Sequence, residues 1–315
     1  MPVDTTWRGS ERARCERRVR AASRRVRGRR GRRGHGCRRA AGGRRPPSAR
    51  ISGADLRAEA VARRAGGRLL LRIEDIDGLR CKPTFVESIF EDLAWLGIEW
   101  QKPPLFQSGR LVAYQKAVKR LSDMDLTYRC SCSRKDIVAA LSAPQEGDVL
   151  PFGPDGIVYP GTCRGRKGTQ MDAVRLDMRK AVAALDWSVE PAFIELGLDA
   201  GRKKLDRERL IEHCGDIVLA RKDIGTSYHV AVVVDDAHQE VTHVTRGVDM
   251  ATATDVHVVL QSLLGLPIPK YCHHRLIRDE NGKRLAKRFD ALSIRELRAQ
   301  GWSVDDVHTA VNLSA

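Results

Sequence analysis

Between Gly67 and Gly78 the chain carries Leu69, Leu70, Leu71 and Ile73 in one apolar run of strand length, which ends abruptly in Glu74, Asp75 and Asp77. Such a run reads as a parallel strand buried on both faces, and in open α/β sheets ligands bind beyond the carboxyl ends of such strands. The three carboxylates therefore fall where chemistry is expected. Pro83 then opens a helical period in which Phe85, Val86, Ile89, Phe90, Leu93 and Leu96 recur at spacings of three and four until Gly97 stops it. A second amphipathic helix is predicted over about 109–124, with Leu111, Tyr114, Val118 and Leu121 on one face.

From about 130 to 210 Pro and Gly are frequent and the periodicity fades, so a loop-rich insertion is expected. The pattern resumes in three short predicted strands: Ile217–Ala220, Tyr228–Val234 running into Asp235 and Asp236, and Val241–Thr245 running into Arg246 and Gly247. A helix with Val256, Val259, Leu260, Leu263 and Leu264 follows and stops at Gly265. Near the end, Ser293-Ile294-Arg295-Glu296 has the form of a capping box, which predicts a closing helix or two. Strands alternating with amphipathic helices predict an α/β fold, a doubly wound parallel sheet with an insertion between its halves.

Charge changes the picture only at the start of the chain. Residues 1–50 hold 18 arginines, no lysine and three acids, so they carry +15 of the formal +16. The remaining 265 residues are close to neutral, with 38 basic and 37 acidic side chains. The high isoelectric point is thus a property of an arm, expected to be disordered. Two origins fit it: a basic tail that meets nucleic acid through phosphates, or a GC-rich coding segment read from a displaced frame or start. Exclusive use of Arg beside Gly, Ala and Pro favours the second. No secretory apolar core lies in the arm, and no window approaches 18 consecutive apolar residues, so no membrane segment is expected. Eight cysteines, three of them clustered and the rest scattered, do not form a secreted disulfide framework, and a reducing cytoplasm is the expected compartment.

Two further constellations could carry chemistry. Cys130, Cys132 and Cys163 converge in the loop-rich stretch, where a structural zinc would contribute folding energy. A fourth ligand would have to come from Tyr159, Asp136 or Asp148, and free structural thiols are the alternative reading. The second is Asp279-Glu280-Asn281-Gly282-Lys283-Arg284-Leu285-Ala286-Lys287-Arg288, a turn that leads into four cations. It reads either as a solvated basic loop or as a mobile loop whose lysine meets a triphosphate.

Taken in order, Arg-Ile-Glu-Asp (72–75), Cys-x-Cys (130–132), Tyr-Pro-Gly-Thr-Cys-Arg (159–164), Ser-Tyr-His-Val-Ala-Val-Val-Val-Asp-Asp (227–236), Thr-Arg-Gly-Val-Asp (245–249) and Lys-Arg-Leu-Ala-Lys-Arg (283–288) resemble the catalytic part of the class I glutamyl-tRNA synthetases. More narrowly they resemble the glutamyl-queuosine tRNA(Asp) synthetases, a shortened paralogous family without the anticodon-binding domain. The resemblance runs from about Ala54 to the C-terminus. It implies a Rossmann-like class I catalytic sheet, L-glutamate and ATP as substrates, the latter with Mg2+, and transfer of glutamate to the queuosine of tRNA(Asp) by a cytoplasmic monomer. It assigns Glu74, Tyr228 and Arg246 to glutamate binding and Lys287 to ATP, where its charge would stabilise the α-phosphate as pyrophosphate leaves. It assigns Cys130, Cys132, Tyr159 and Cys163 to a structural Zn2+. On this reading residues 1–50 are the arm, 51–129 and 211–290 the two halves of the catalytic domain, 130–210 the zinc-containing insertion that meets tRNA, and 291–315 a helical tail.

Two departures from the family pattern stand out. Ala286 replaces the usual serine before Lys287. Upstream, the family's Pro-Ser-x-Gly and His-x-Gly-His phosphate-binding motifs have no counterpart, and Gly34-His35-Gly36 is a lone fragment in the arginine tract. One strand, half of the ATP site and one glutamate-binding arginine are therefore expected to be missing. Two other readings stay open, a truncated glutamyl-tRNA synthetase that charges the 3′ end of tRNA, and an inactive zinc-containing RNA-binding protein.

Overall fold

The structure is a computed structural model that describes residues 18–20, 24–25, 53–64, 66–78, 81–141, 152–275 and 294–310. Apart from two short strands, the expected disorder of the arm falls outside those residues, as do Gly34-His35-Gly36, Asp148, the Lys287 loop and Ser293.

The elements in chain order are β1 (Arg18–Arg20), β2 (Arg24–Arg25), α1 (Gly53–Arg64), β3 (Arg68–Glu74), α2 (Pro83–Trp95), β4 (Gln101–Phe106), α3 (Leu111–Asp123), β5 (Thr127–Cys130), α4 (Arg134–Leu141), β6 (Phe152–Gly153), β7 (Gly156–Ile157), β8 (Ala173–Leu176), α5 (Met178–Ala184), β9 (Ala192–Glu195), β10 (Gly201–Lys204), α6 (Arg207–Arg209), β11 (Val218–Ala220), α7 (Tyr228–His238), β12 (His243–Gly247), α8 (Ala251–Leu264), β13 (Lys270–His274), α9 (Ile294–Ala299) and α10 (Val304–Ala310). The main sheet runs β10-β9-β13-β12-β1-β3, with β4 on the far side of β3. All its pairings are parallel except β9 with β10. Leu70 pairs with both Arg20 and Gln101, and Ile73 with both Arg24 and Phe106, so β1 and β2 lie along one edge of β3 and β4 along the other.

This is the doubly wound sheet expected from the pattern. β3 alternates between two cores: Leu70 packs with Tyr114, Val230, Val244 and Tyr271, whereas Leu69, Leu71 and Ile73 pack with Leu56, Ile89 and Leu93. α9 and α10 close the second core through Ile294, Leu297 and Val307. The place beside β3, expected to be empty, is taken by Arg18–Arg20 of the arm, which pairs with both β3 and β12. A parallel sheet with both flanking halves present leaves one strand's width between them, and backbone of any sequence can fill its ladder.

Two local expectations are corrected. Residues 228–234 form not a strand but the first turns of α7, capped by the Ser227 hydroxyl, which accepts from the Val230 N–H. This helix buries His229, Val230, Ala231, Val232 and Val233 in succession, so it shows no amphipathic period and its β-branched run imitates a buried strand. Residues 130–210 hold more than loops: β8 joins β5 and β11, which flank this stretch, in a three-stranded antiparallel sheet, and β9 and β10 extend the main sheet. Strands of four residues are too short to leave a readable period. No described helix is long and apolar enough to cross a membrane.

Candidate active site

The three carboxylates beyond β3 have three different fates. Asp75 accepts from the Ser108 N–H at 2.8 Å and the Ser108 hydroxyl at 2.6 Å, and so holds the turn that leads into α3. Asp77 faces Arg221 at 3.6 Å. Glu74 is 5% exposed, and neither carboxylate oxygen meets a hydrogen-bond partner among the described residues. A buried polar group without a partner is costly, so a ligand of opposite charge is the natural completion of this position.

Arg246 and Tyr228, named from sequence as its companions, come together through a third residue. Arg246 lies at the carboxyl end of β12, 5% exposed, its guanidinium 4.7 Å above the Tyr271 ring. It donates to Thr254 Oγ1 at 2.6 Å and to His257 Nδ1 at 3.2 Å, while its Nε has no partner among the described residues. The Tyr228 ring, on the first residue of α7, lies 5.6 Å from the His257 ring. Glu74 stands apart from this group, at the carboxyl end of β3 and two strands from β12, with β1 between. Two strand spacings are about 10 Å, a span that a small zwitterion can bridge. The structure thus places Glu74 and Arg246 at the carboxyl ends of strands of one sheet, with Tyr228 beside the His257 that meets Arg246, and Lys287 lies outside the described residues.

Sequence reading missed the polar chain behind Arg246. His229 Nδ1 lies 3.1 Å from His257 Nε2, and His229 Nε2 lies 3.1 Å from Asp155 Oδ1. On the other side, Thr254 Oγ1 is 2.8 Å from His273 Nε2, and His273 Nδ1 is 2.5 Å from Glu195 Oε2. Burial lowers the His273 pKa, and the nearby Arg246 reinforces this against the pull of Glu195. The available signal was Thr254 and His257, polar residues three apart on a helix whose buried positions are mostly apolar.

The second site is the cysteine cluster. Cys130 ends β5, and Tyr159 and Cys163 follow the β6–β7 hairpin. Tyr159 Oη lies 3.4 Å from the sulfurs of both Cys130 and Cys132, Cys132 and Cys163 are 3.5 Å apart, and all three sulfurs lie within 4.8 Å of one another. A tetrahedral divalent ion with bonds of about 2.0–2.3 Å puts neighbouring ligand atoms roughly 3.5–3.8 Å apart, so these four residues fit a metal ion. The chemistry of the set agrees. Burial, with the surrounding thiols, pushes the Tyr159 phenol up, and burial likewise raises Cys132. Burial also works to raise Cys163, but hydrogen bonds from Tyr159 and Cys132 outweigh it and bring the thiol down to about 7. Arg175 stacks 3.9 Å from the Tyr159 ring centre and donates to the Asp216 carbonyl at 2.8 Å. Asp216 also accepts from Arg164 at 2.6 Å and from the Tyr128 hydroxyl, which ties the cluster to the three-stranded sheet. Asp136, the other weighed ligand within the described residues, instead accepts from the Ser133 N–H at 2.7 Å.

The chain matches the family model for the catalytic domain of class I tRNA synthetases (E and Q) over residues 58–146 and 201–313. A glutamyl-Q tRNA(Asp) synthetase of Rhodobacter capsulatus is 51% identical over 258 residues, which cover 80% of this chain and 91% of that protein. One of Nitratidesulfovibrio vulgaris is 37% identical over 250 residues, 76% of this chain and 74% of that protein. Among solved structures, a glutamate-tRNA synthetase from Elizabethkingia anophelis superposes with a TM-score of 0.60 at 24% identity, covering 78% of this chain and 52% of that one. A glutamate tRNA ligase from Elizabethkingia meningosepticum in complex with its amino acid gives 0.57 at 23% identity, with 81% and 52% covered. The chain therefore spans about half the length of these two synthetases, whose likeness establishes the fold.

Proposed function

The chain belongs to the class I tRNA synthetases (E and Q) and, within them, to the glutamyl-Q tRNA(Asp) synthetases, and from that membership we propose that it activates L-glutamate with ATP and transfers it to the queuosine of tRNA(Asp). The observation that carries this reading is the buried carboxylate of Glu74, without a partner among the described residues, at the same end of the sheet as Arg246. Glu74 receives the ammonium of glutamate, Arg246 takes a carboxylate of the same molecule with its planar donor fork, and Tyr228 lines the site. Lys287 stabilises charge on the α-phosphate as the glutamate carboxylate displaces pyrophosphate.

The test is labelled glutamate offered with ATP to tRNA(Asp) with and without queuosine. Label on the queuosine-bearing tRNA alone supports the proposal, whereas label on the 3′ terminus overturns it in favour of an ordinary glutamyl-tRNA synthetase.

The 315-residue chain is itself impaired in the first step on this reading, because its sequence carries no His-x-Gly-His motif. If that motif supplies even ~4 kcal/mol of transition-state stabilisation, its lack costs roughly a thousandfold in rate. Glutamate-dependent ATP–pyrophosphate exchange is therefore expected to be undetectable with the purified chain, and to return when residues 1–53 are replaced by a segment bearing both phosphate-binding motifs. The transfer assay belongs on that restored form. Exchange by the chain as written removes the impairment and leaves the assignment of substrates standing.

The metal is Zn2+ on this reading, held by Cys130, Cys132, Tyr159 and Cys163, with all four positions protein-filled and the role structural. Removal of zinc by a chelator, or Cys163→Ser, is expected to release the segment around Tyr159, seen as a lowered melting temperature and faster proteolysis between residues 131 and 172. A chain purified without zinc, at unchanged stability on addition of zinc, contradicts this.

A further inference from the structure

We propose that His257 is a positioning residue for Arg246, and that its ring is held in turn by His229 and by Asp155 of the insertion. The proposal rests on the reading of Arg246 as a glutamate ligand, but its physical basis is independent. A guanidinium only donates hydrogen bonds, so His257 Nδ1, 3.2 Å from Arg246 Nη1, must present its lone pair. The proton of that ring then sits on Nε2, which faces His229 Nδ1 at 3.1 Å, so His229 Nδ1 is also a lone pair. The His229 proton is therefore on Nε2, which faces the Asp155 carboxylate at 3.1 Å. Arginine at one end and a carboxylate at the other leave a single arrangement of protons along four side chains. A proton added to either ring would set N–H against N–H or N–H against guanidinium.

The chain has a mechanical consequence. Arg246, His257 and His229 are each at most 5% exposed, and Thr254, fully buried, fixes the second Nη of the guanidinium. With both Nη atoms held and the Tyr271 ring beneath, the guanidinium plane is set before substrate arrives, and the buried Nε, without a partner among the described residues, keeps a constant direction. Preorganisation of this kind lowers the ordering cost of binding. Asp155 lies on the β6–β7 hairpin, four positions before Tyr159, and accepts from the Val218 N–H at 2.8 Å. The segment that carries the cysteine–tyrosine cluster thereby reaches the amino-acid site through two imidazoles.

Two measurements on the whole chain test the proposal. Nitrogen NMR of the chain with labelled histidine, without substrate, is expected to show both His229 and His257 as Nε2–H tautomers, and an Nδ1–H form of either overturns the proposal. Calorimetric titration with glutamate is expected to show binding weakened about tenfold or more by His257→Ala, which removes a hydrogen bond to a charged group. His257→Asn keeps an acceptor near the Nδ1 position and is expected to stay within about threefold of the parent, which separates positioning from mere filling of space. Asp155→Ala, on a one-third exposed side chain that meets Arg246 only through His229 and His257, is expected to weaken glutamate by about threefold, in the range of coupling through a contiguous network. Parent-like affinity in His257→Ala, or an Asn variant no better than Ala, overturns the positioning role alone. A chain that binds no glutamate, both as it stands and with residues 1–53 replaced by a segment bearing the upstream motifs, overturns the reading of Arg246 as a ligand, while the tautomers still decide the hydrogen-bond chain.

Discussion

Glu74→Gln is expected to have two opposite effects: a protein more stable by about 1–2 kcal/mol and an affinity for glutamate reduced roughly thirtyfold or more. The first follows from the free protein. The carboxylate of Glu74 is buried at the end of β3 without a partner among the described residues, and an uncompensated buried charge costs more than a neutral amide of the same shape. For a chain of this size the gain corresponds to a rise in melting temperature of about 2–8 °C. The second follows from the ligand, whose ammonium loses its counter-charge in a dry site. Calorimetry would read both, by thermal scan and by titration. A destabilised Gln variant, or one with unaltered affinity, refutes the role given to this residue. The combination is a signature of a binding group kept at the expense of stability, which a structural glutamate does not show.

The largest loss of stability is expected from Asp235→Ala. This carboxylate is fully buried and accepts from Gln107 at 3.0 Å, Arg110 Nε at 2.6 Å and the Tyr114 hydroxyl at 2.7 Å. It joins α7 to α3 and to the turn before it. Truncation strands three donors, among them a guanidinium, and removal of one partner from a buried pair costs about 3–5 kcal/mol. Denaturant unfolding should show this loss with Tyr114→Phe far from additive in the same background, because both changes break one network. Burial, reinforced by the Asp235 charge, already pushes the Tyr114 phenol well above its ordinary range. An effect below about 1 kcal/mol, the range of exposed pairs, overturns the picture of Asp235 as the junction of these helices.

Asp235 also illustrates what could be read from sequence. β3, α2, α3 and α8 lie where the apolar pattern puts them: α2 and α3 divide their residues between core and surface, β3 is a short apolar run buried on both faces, and α8 keeps its spacing of three and four up to the Gly265 stop. Gly265 at φ 63° ends α8 as its position suggested. α7 was misread because it is buried nearly all round and therefore has no polar face to set a period. A run of Val before Asp-Asp looks like a strand meeting solvent, yet both acids are inside: Asp236 accepts from Arg72, a strand residue 1% exposed. At the site, Glu74 was visible as an abrupt change of polarity and the cysteines as a cluster. Tyr228 and Arg246 came only from the family resemblance, since a tyrosine and an arginine have many ordinary uses. His229, His257 and Asp155 escaped notice because their meaning lies in contacts between residues 28 and 74 positions apart.

The two outermost strands of the main sheet have a bearing on solubility. Every sheet ends in backbone donors and acceptors that invite another strand, and proteins blunt such edges with prolines and charges. β4 offers Pro103 and Pro104, which have no N–H to donate, and β10 offers Arg202, Lys203 and Lys204, whose cations repel a like edge. One border is sterilised by missing donors and the other by charge. Exchange of Pro103 and Pro104 for threonine, or of the three cations for valine, would therefore turn a self-limited sheet into a template for its own growth.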